Sequence, residues 1–237
     1  MKLFTATPNP FPFAKSSGDV PILHNKLGSL SEIQNSVIGV NGAVTGTVTY
    51  ATGQYGNSCY TGAVRTNRVV FNDGTTILPN NDAFSFSLWM KPTFAMTNGV
   101  GTGAHLMWGL NDNGSVGDPG DWIIIAATSY WRVDNSISAN FTSPTGFSFV
   151  ANTWQHFAFV KDVSGIDGGS DTLRVYLDNV KVWNSTQVIA SNSTAIKSIV
   201  LGSYDENTAG SAGAETYFDN LKLYDFAKTD YSDRLSE

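Results

Sequence analysis

Trp108, Trp122, Tyr130, Trp131, Arg132 and Tyr204 lie near loop-like stretches rich in Asn and Asp and have side chains suited to holding a sugar. Aromatic faces stack on sugar C–H groups, and amides, carboxylates and guanidinium groups bond the hydroxyls. Trp131 is the most suggestive, because Tyr130, Arg132 and Asp134 flank it just after the apolar run Trp122–Thr128. The competing role for these side chains is to cover the ends of a β-sandwich or to contact another subunit. Nucleophilic and metal chemistry find less support. No HExxH or GxSxG occurs, and His24, His105 and His156 stand apart without metal-ligand spacing. His156 falls inside a strand pattern and reads as a half-buried structural residue. Gly99-Val-Gly-Thr-Gly103-Ala resembles a dinucleotide fingerprint, but a strand-like run follows where a helix is needed to hold the pyrophosphate.

The elements that must position these residues read as β-strands. Of 237 residues, 41% are hydrophobic and only 14% charged, so the chain can bury a core and is not a disordered acidic segment. Short runs with period-two alternation and β-branched or aromatic residues recur from Gly42 onward: AVTGTVTY, RVVF, FSFSLWMKP, HLMWGL, WIIIAAT, FSFV, WQHFAFVKD, TLRVYLDNVKVW, SIVLGS and YFDNLKLYDF. Asp178-Asn179 between two such runs suits the positive φ angles of a tight hairpin. No ten-residue helical pattern separates the strands, so the expected fold is all-β, a two-sheet antiparallel jelly-roll sandwich. Residues 1–41 hold Pro8, Pro10, Pro12 and Pro21 and are expected to form an extended arm for docking or assembly, with 42–237 as the jelly-roll domain. Within the arm, Ser29–Ile38 suggests one helical turn capped by Ser31 with Gln34 three residues on. The tail, Ala227–Leu235, could add a final turn.

The net charge of −6 and scattered basic residues exclude nucleic acid as a partner. No apolar stretch is long enough for a membrane span. The opening MKLFTATPNPFPFAK lacks the apolar run of a secretory signal, so a virion or another extracellular setting is expected without a signal peptide in this chain. Cys59 is the single cysteine and reads as a small buried side chain without a disulfide. The sequons at Asn140, Asn184 and Asn192 read as products of Asn/Ser/Thr-rich composition.

Four segments in order, Phe84–Pro92, Asn152–Asp162, Thr172–Val180 and Phe218–Tyr224, with Gly53-Gln-Tyr-Gly56 upstream, resemble the laminin G-like, concanavalin A-like lectin and glucanase superfamily. The resemblance covers about residues 42–230 and implies the jelly roll, not one function. It implies a structural calcium ligated by Asp219, which occupies the place of the family's strand Asp. The loops 111–121 and 162–171 are oxygen-rich but lack calcium-loop spacing and read as solvated turns. The retaining glucanases of the superfamily carry E-x-D-x-x-E on a strand; Glu32, Glu206, Glu215 and Glu237 form no such pattern, so no catalytic residue is assigned. Trp89 and Trp154, alternating with Phe84, Phe86, Phe157 and Phe159, are expected between the two sheets.

The expected function is non-catalytic surface recognition, foremost as a phage virion accessory protein. Its arm would mediate self-assembly or docking onto virion proteins, and its loops would meet glycans. The alternative is a carbohydrate-binding lectin module of a bacterial surface or secreted protein, which binds polysaccharide and loses affinity on Trp131→Ala.

Overall fold

The alternation in Phe84–Met90 sorts one strand into two faces. Phe84, Phe86, Leu88 and Met90 are buried in the main core with Val69, Phe71, Ile199 and Leu201, while Ser85, Ser87 and Trp89 take the opposite face. This strand is β6 (Ala83–Pro92), the centre of one sheet. The computed structural model describes residues 20–64, 66–72, 76–80, 82–94, 149–187, 195–202 and 214–235, with the backbone alone for strands at 106–111, 122–127, 130–135 and 139–142.

The remaining elements in chain order are β1 (Leu23–Asn25), α1 (Leu30–Gln34), β2 (Gly42–Thr45), β3 (Thr49–Thr52), β4 (Asn57–Tyr60) and β5 (Arg68–Phe71), all before β6. After it come β7 (Leu106–Asn111), β8 (Trp122–Ala127), β9 (Tyr130–Asn135), β10 (Ala139–Thr142), β11 (Gln155–Asp162), β12 (Leu173–Leu177), β13 (Val180–Ser185), β14 (Ser198–Leu201) and β15 (Thr216–Tyr224). One antiparallel sheet runs β13-β12-β11-β6-β15-β4-β3, with β1 also on β15; the other runs β10-β9-β8-β7-β14-β5-β2. Strands distant in sequence are neighbours in both sheets, as a jelly-roll sandwich requires. Asp178 and Asn179 both take positive φ, 50° and 68°, closing the β12–β13 hairpin as their types suggest.

Several expectations need correction. The run AVTGTVTY is not one strand: β2 joins one sheet and β3 the other, and the chain crosses between them at Gly46, with φ +72°. The described part of the arm packs on the sandwich. β1 pairs with β15 from Leu23↔Leu223 to Asn25↔Leu221, and Leu23, Leu27 and Ile33 are fully buried in the main core. Asn25 completes the join, because its amide donates to Glu32 O, Ile33 O and Ser36 Oγ while its oxygen accepts from Leu27 N–H. The helical turn is capped by Ser29 rather than Ser31; Ser29 Oγ accepts from Glu32 N–H at 3.1 Å.

Trp89 is not between the sheets either. It lies on the outer face of β6, yet only 5% of it is exposed, because that face is covered by the segment after β15. Ser85 Oγ donates to Phe226 O and accepts from Lys228 N–H, and Tyr231 packs with Ala158, Val160, Ile166 and Tyr176 in a second apolar cluster. The sheet is therefore buried on both faces over its centre. The tail closes in a 3-10 turn at Ser232–Leu235.

Candidate functional site

Where the covering segment ends, the outer face of the same sheet carries a row of half-buried side chains on four adjacent strands. Tyr60 of β4 pairs with Tyr217 of β15, and Tyr217 with Lys91 of β6. Gln155 pairs with Met90, so Trp154, just before β11, comes level with Lys91. The rings of Tyr60 and Tyr217 stack at 4.5 Å between centroids and 27° between planes. Lys91 Nζ sits 4.4 Å from the Tyr217 ring centroid and 5.2 Å from that of Trp154. Three strand spacings put the row at about 14 Å, the length of a short oligosaccharide. Thr93 fixes its Tyr60 end by bonding the phenol, and Thr93 Oγ1 donates to Glu215 O. Trp154 was expected in the core; it stands half-buried on the outer face because alternation puts it on the same side as His156, which pairs with Trp89.

Next to the row, Asp219 is fully buried. Its Oδ2 accepts N–H bonds from Gln54 at 2.7 Å and Tyr55 at 2.8 Å, in the turn that Gly53 and Gly56 close. Any Cβ on residue 53 would stand 2.5 Å from that oxygen, so the turn requires glycine. The carboxylate thus holds a turn. Among the described residues no three His, Cys, Asp or Glu side chains form a metal-binding group.

Cys59 lies close by, fully buried. Burial first, and then the Asp219 charge, push its thiol up to about 12. A thiol reagent should therefore leave Cys59 unmodified in the folded protein and label it fully in denaturant; labelling of the native chain would contradict this burial.

The acidic loop at 162–171 is bound up in ion pairs. Asp167 and Asp171 hold Arg174, Asp171 also pairs with Lys181, and Asn184 donates to Asp171 Oδ1. Arg174 foremost keeps the Asp171 carboxyl below its usual range. His156 is fully inside the fold rather than half-buried, in edge contact with Trp89 and beside Tyr231, each at 5.4 Å. A shallow cleft of about 310 Å³ is lined by Phe226–Asp230, Ser232 and Asp233, on the covering segment itself.

Of the sugar-binding candidates selected from sequence, Trp108, Trp122, Tyr130, Trp131 and Arg132 belong to strands of the other sheet. The backbone register sets Trp108 level with Leu201 and Ile124, Trp122 with Leu110, Trp131 with Ala126, Tyr130 with Ala127, and Arg132 with Ile125 and Thr142. Their side chains, and all of Tyr204, lie outside the described residues. The pairing brings Trp131, Tyr130 and Arg132 to the β8–β9 hairpin, one strand from Trp108. The row of Tyr60, Tyr217, Lys91 and Trp154 went unselected because its members are far apart in sequence and become neighbours only through strand register.

A family model of the concanavalin A-like lectin/glucanases superfamily, of the laminin G type, matches residues 61–231. The chain belongs to that superfamily. No curated protein sequence matches it. Among solved structures, domain 4 of an extracellular arabinanase from Geobacillus stearothermophilus, in complex with arabinotriose, is similar with a TM-score of 0.61 and 19% identity, over 92% of this chain and 98% of that domain. The receptor-binding domain of botulinum neurotoxin type G is similar with a TM-score of 0.62 and 11% identity, over 91% of this chain. The ligand-binding domain of botulinum neurotoxin serotype D, in complex with N-acetylneuraminic acid, is similar with a TM-score of 0.59 and 12% identity, over 89% of this chain. The chain spans about half the length of these two toxin domains, 50% and 48%.

Proposed function

We propose that this superfamily member is a non-catalytic carbohydrate-binding module. The observation that carries the reading is the solvent-reached row of Tyr60, Tyr217, Lys91 and Trp154, an aromatic and hydrogen-bonding strip on the outer face of a sheet. Two structural neighbours, the arabinanase domain and the serotype D toxin domain, have sugars in their complexes, which supports a sugar as ligand here. The sequence offers no paired carboxylates on a strand for glycoside hydrolysis, which supports binding without turnover. The virion reading draws on the proline-rich N-terminal segment. From Leu23 onward that segment is built into the sandwich, so the carbohydrate reading has more behind it.

Calorimetric titration against a polysaccharide panel tests it. The wild-type chain should bind at least one polysaccharide, and Trp154→Ala should weaken that binding about thirtyfold, since truncating an aromatic anchor costs about 2 kcal/mol. Trp131→Ala serves as the comparison on the opposite sheet. Affinity lost through Trp131→Ala but not Trp154→Ala would move the site to the other sheet. Release of reducing sugar from any bound polysaccharide would overturn the non-catalytic reading.

A further inference from the structure

Within the row, Lys91 is the one cationic side chain. Its ammonium lies 4.4 and 5.2 Å from the Tyr217 and Trp154 ring centroids, and these rings stabilise its charge without accepting its N–H donors as a carboxylate would. The ion pairs elsewhere make a contrast. Arg174 meets Asp167 and Asp171, Lys181 meets Asp171, and Lys228 meets Asp233. Among the described residues, no carboxylate stands within ion-pair distance of Lys91. Two acidic residues neighbour the row: Glu215 adjoins Tyr60 at its far end, and Asp219 is buried with its Oδ2 accepting from the Gln54 and Tyr55 N–H groups. The strip is therefore polar along its length, positive at the Lys91–Trp154 end and negative at the Tyr60 end. In a chain of net charge −6, a lysine held by two rings without a carboxylate favours an anionic partner at that end.

We propose that the strip takes a carboxylated glycan, a chain containing uronic acid, whose carboxylate meets Lys91 Nζ while its ring lies against Trp154. This rests on the carbohydrate-binding reading and adds the charge of the sugar to it. A charge-assisted hydrogen bond supplies the selectivity, and the flanking aromatic rings supply the apolar contact a sugar ring needs.

The test uses polygalacturonate, alginate and hyaluronan, each paired with its carboxyl-reduced counterpart, which keeps the chain and loses the charge. The full chain should bind at least one acid form tenfold or more tightly than its reduced form, with affinity falling as salt rises. Lys91→Met should abolish that preference, and Lys91→Arg should restore it. Equal affinity for the acid and reduced forms, or a preference unchanged in Lys91→Met, overturns the proposal. Binding confined to neutral polysaccharides and lost in Trp154→Ala overturns it too, but leaves the carbohydrate-binding reading standing. Failure to bind any polysaccharide overturns both. The acid-versus-reduced comparison needs no variant, so a fold defect in Lys91→Met cannot mask the answer.

Discussion

Acidification from pH 6.5 towards pH 3 should remove on the order of 4 kcal/mol of folding stability through His156 alone, given about 1.4 kcal/mol per unit of pKa shift. Burial first, and then the charges of Arg234, Lys222 and Lys228, lower the imidazole from its usual 6.5 to about 3. The ring is closed in by Trp89 and Tyr231, and its Nδ1 finds no hydrogen-bond partner. Asp178 Oδ1 accepts from the backbone N–H of His156 rather than from its ring. The sign follows from the neutral form being favoured in the fold. The unfolded chain takes up a proton near pH 6.5 and the folded chain only near 3, so the stabilisation is complete above 6.5 and fades as the pH falls towards 3. Urea unfolding of wild type and His156→Gln at a series of pH values measures the effect as the difference between the two curves. That difference should change by several kcal/mol across the window; curves that run parallel would show that His156 carries no such linkage.

How far the sequence predicts this arrangement depends on whether the relevant contacts are local. The hairpin at Asp178-Asn179 is legible because two adjacent residue types decide it, and both take positive φ. Alternation likewise marks β6 and β11 as strands. It cannot say which face meets the other sheet when both faces are apolar, and that is why Trp89 was expected among the phenylalanines. Phe84, Phe86 and Leu88 pack between the sheets, while Trp89, His156 and Ala158 lie beneath the C-terminal segment. In AVTGTVTY the alternating pattern runs on through Gly46, and only the +72° φ at that glycine and the pairing of β2 and β3 with different sheets reveal the crossing. Asp219 sits where the family resemblance places it, yet it grips backbone amides from a turn more than 160 residues earlier in the chain. The Lys91 row was invisible for the same reason, since its members come from four strands whose order is not their order in sequence.

Tyr231→Ala should cost about 3–5 kcal/mol, the range for truncating a large buried ring. Tyr231 is 1% exposed and anchors the covering segment to the outer face of the sheet, packing on Tyr176 at 5.6 Å and His156 at 5.4 Å. Its backbone N–H donates to Asn179 Oδ1, so the anchor also reaches the β12–β13 hairpin. The segment as a whole buries one side of Ala158, Val160 and Ile166, an apolar patch that would otherwise face water. Loss of the ring should therefore do more than open a cavity. It should let water reach His156, raising that imidazole back towards its ordinary range and flattening the acid dependence predicted above. Chemical denaturation of Tyr231→Ala at pH 7 and at pH 4 separates the two effects. A large loss at pH 7 with a smaller further loss at pH 4 than wild type shows that the segment both stabilises the sheet and keeps His156 neutral. A loss below about 1 kcal/mol, typical of a surface change, would mean that the segment is not anchored through Tyr231.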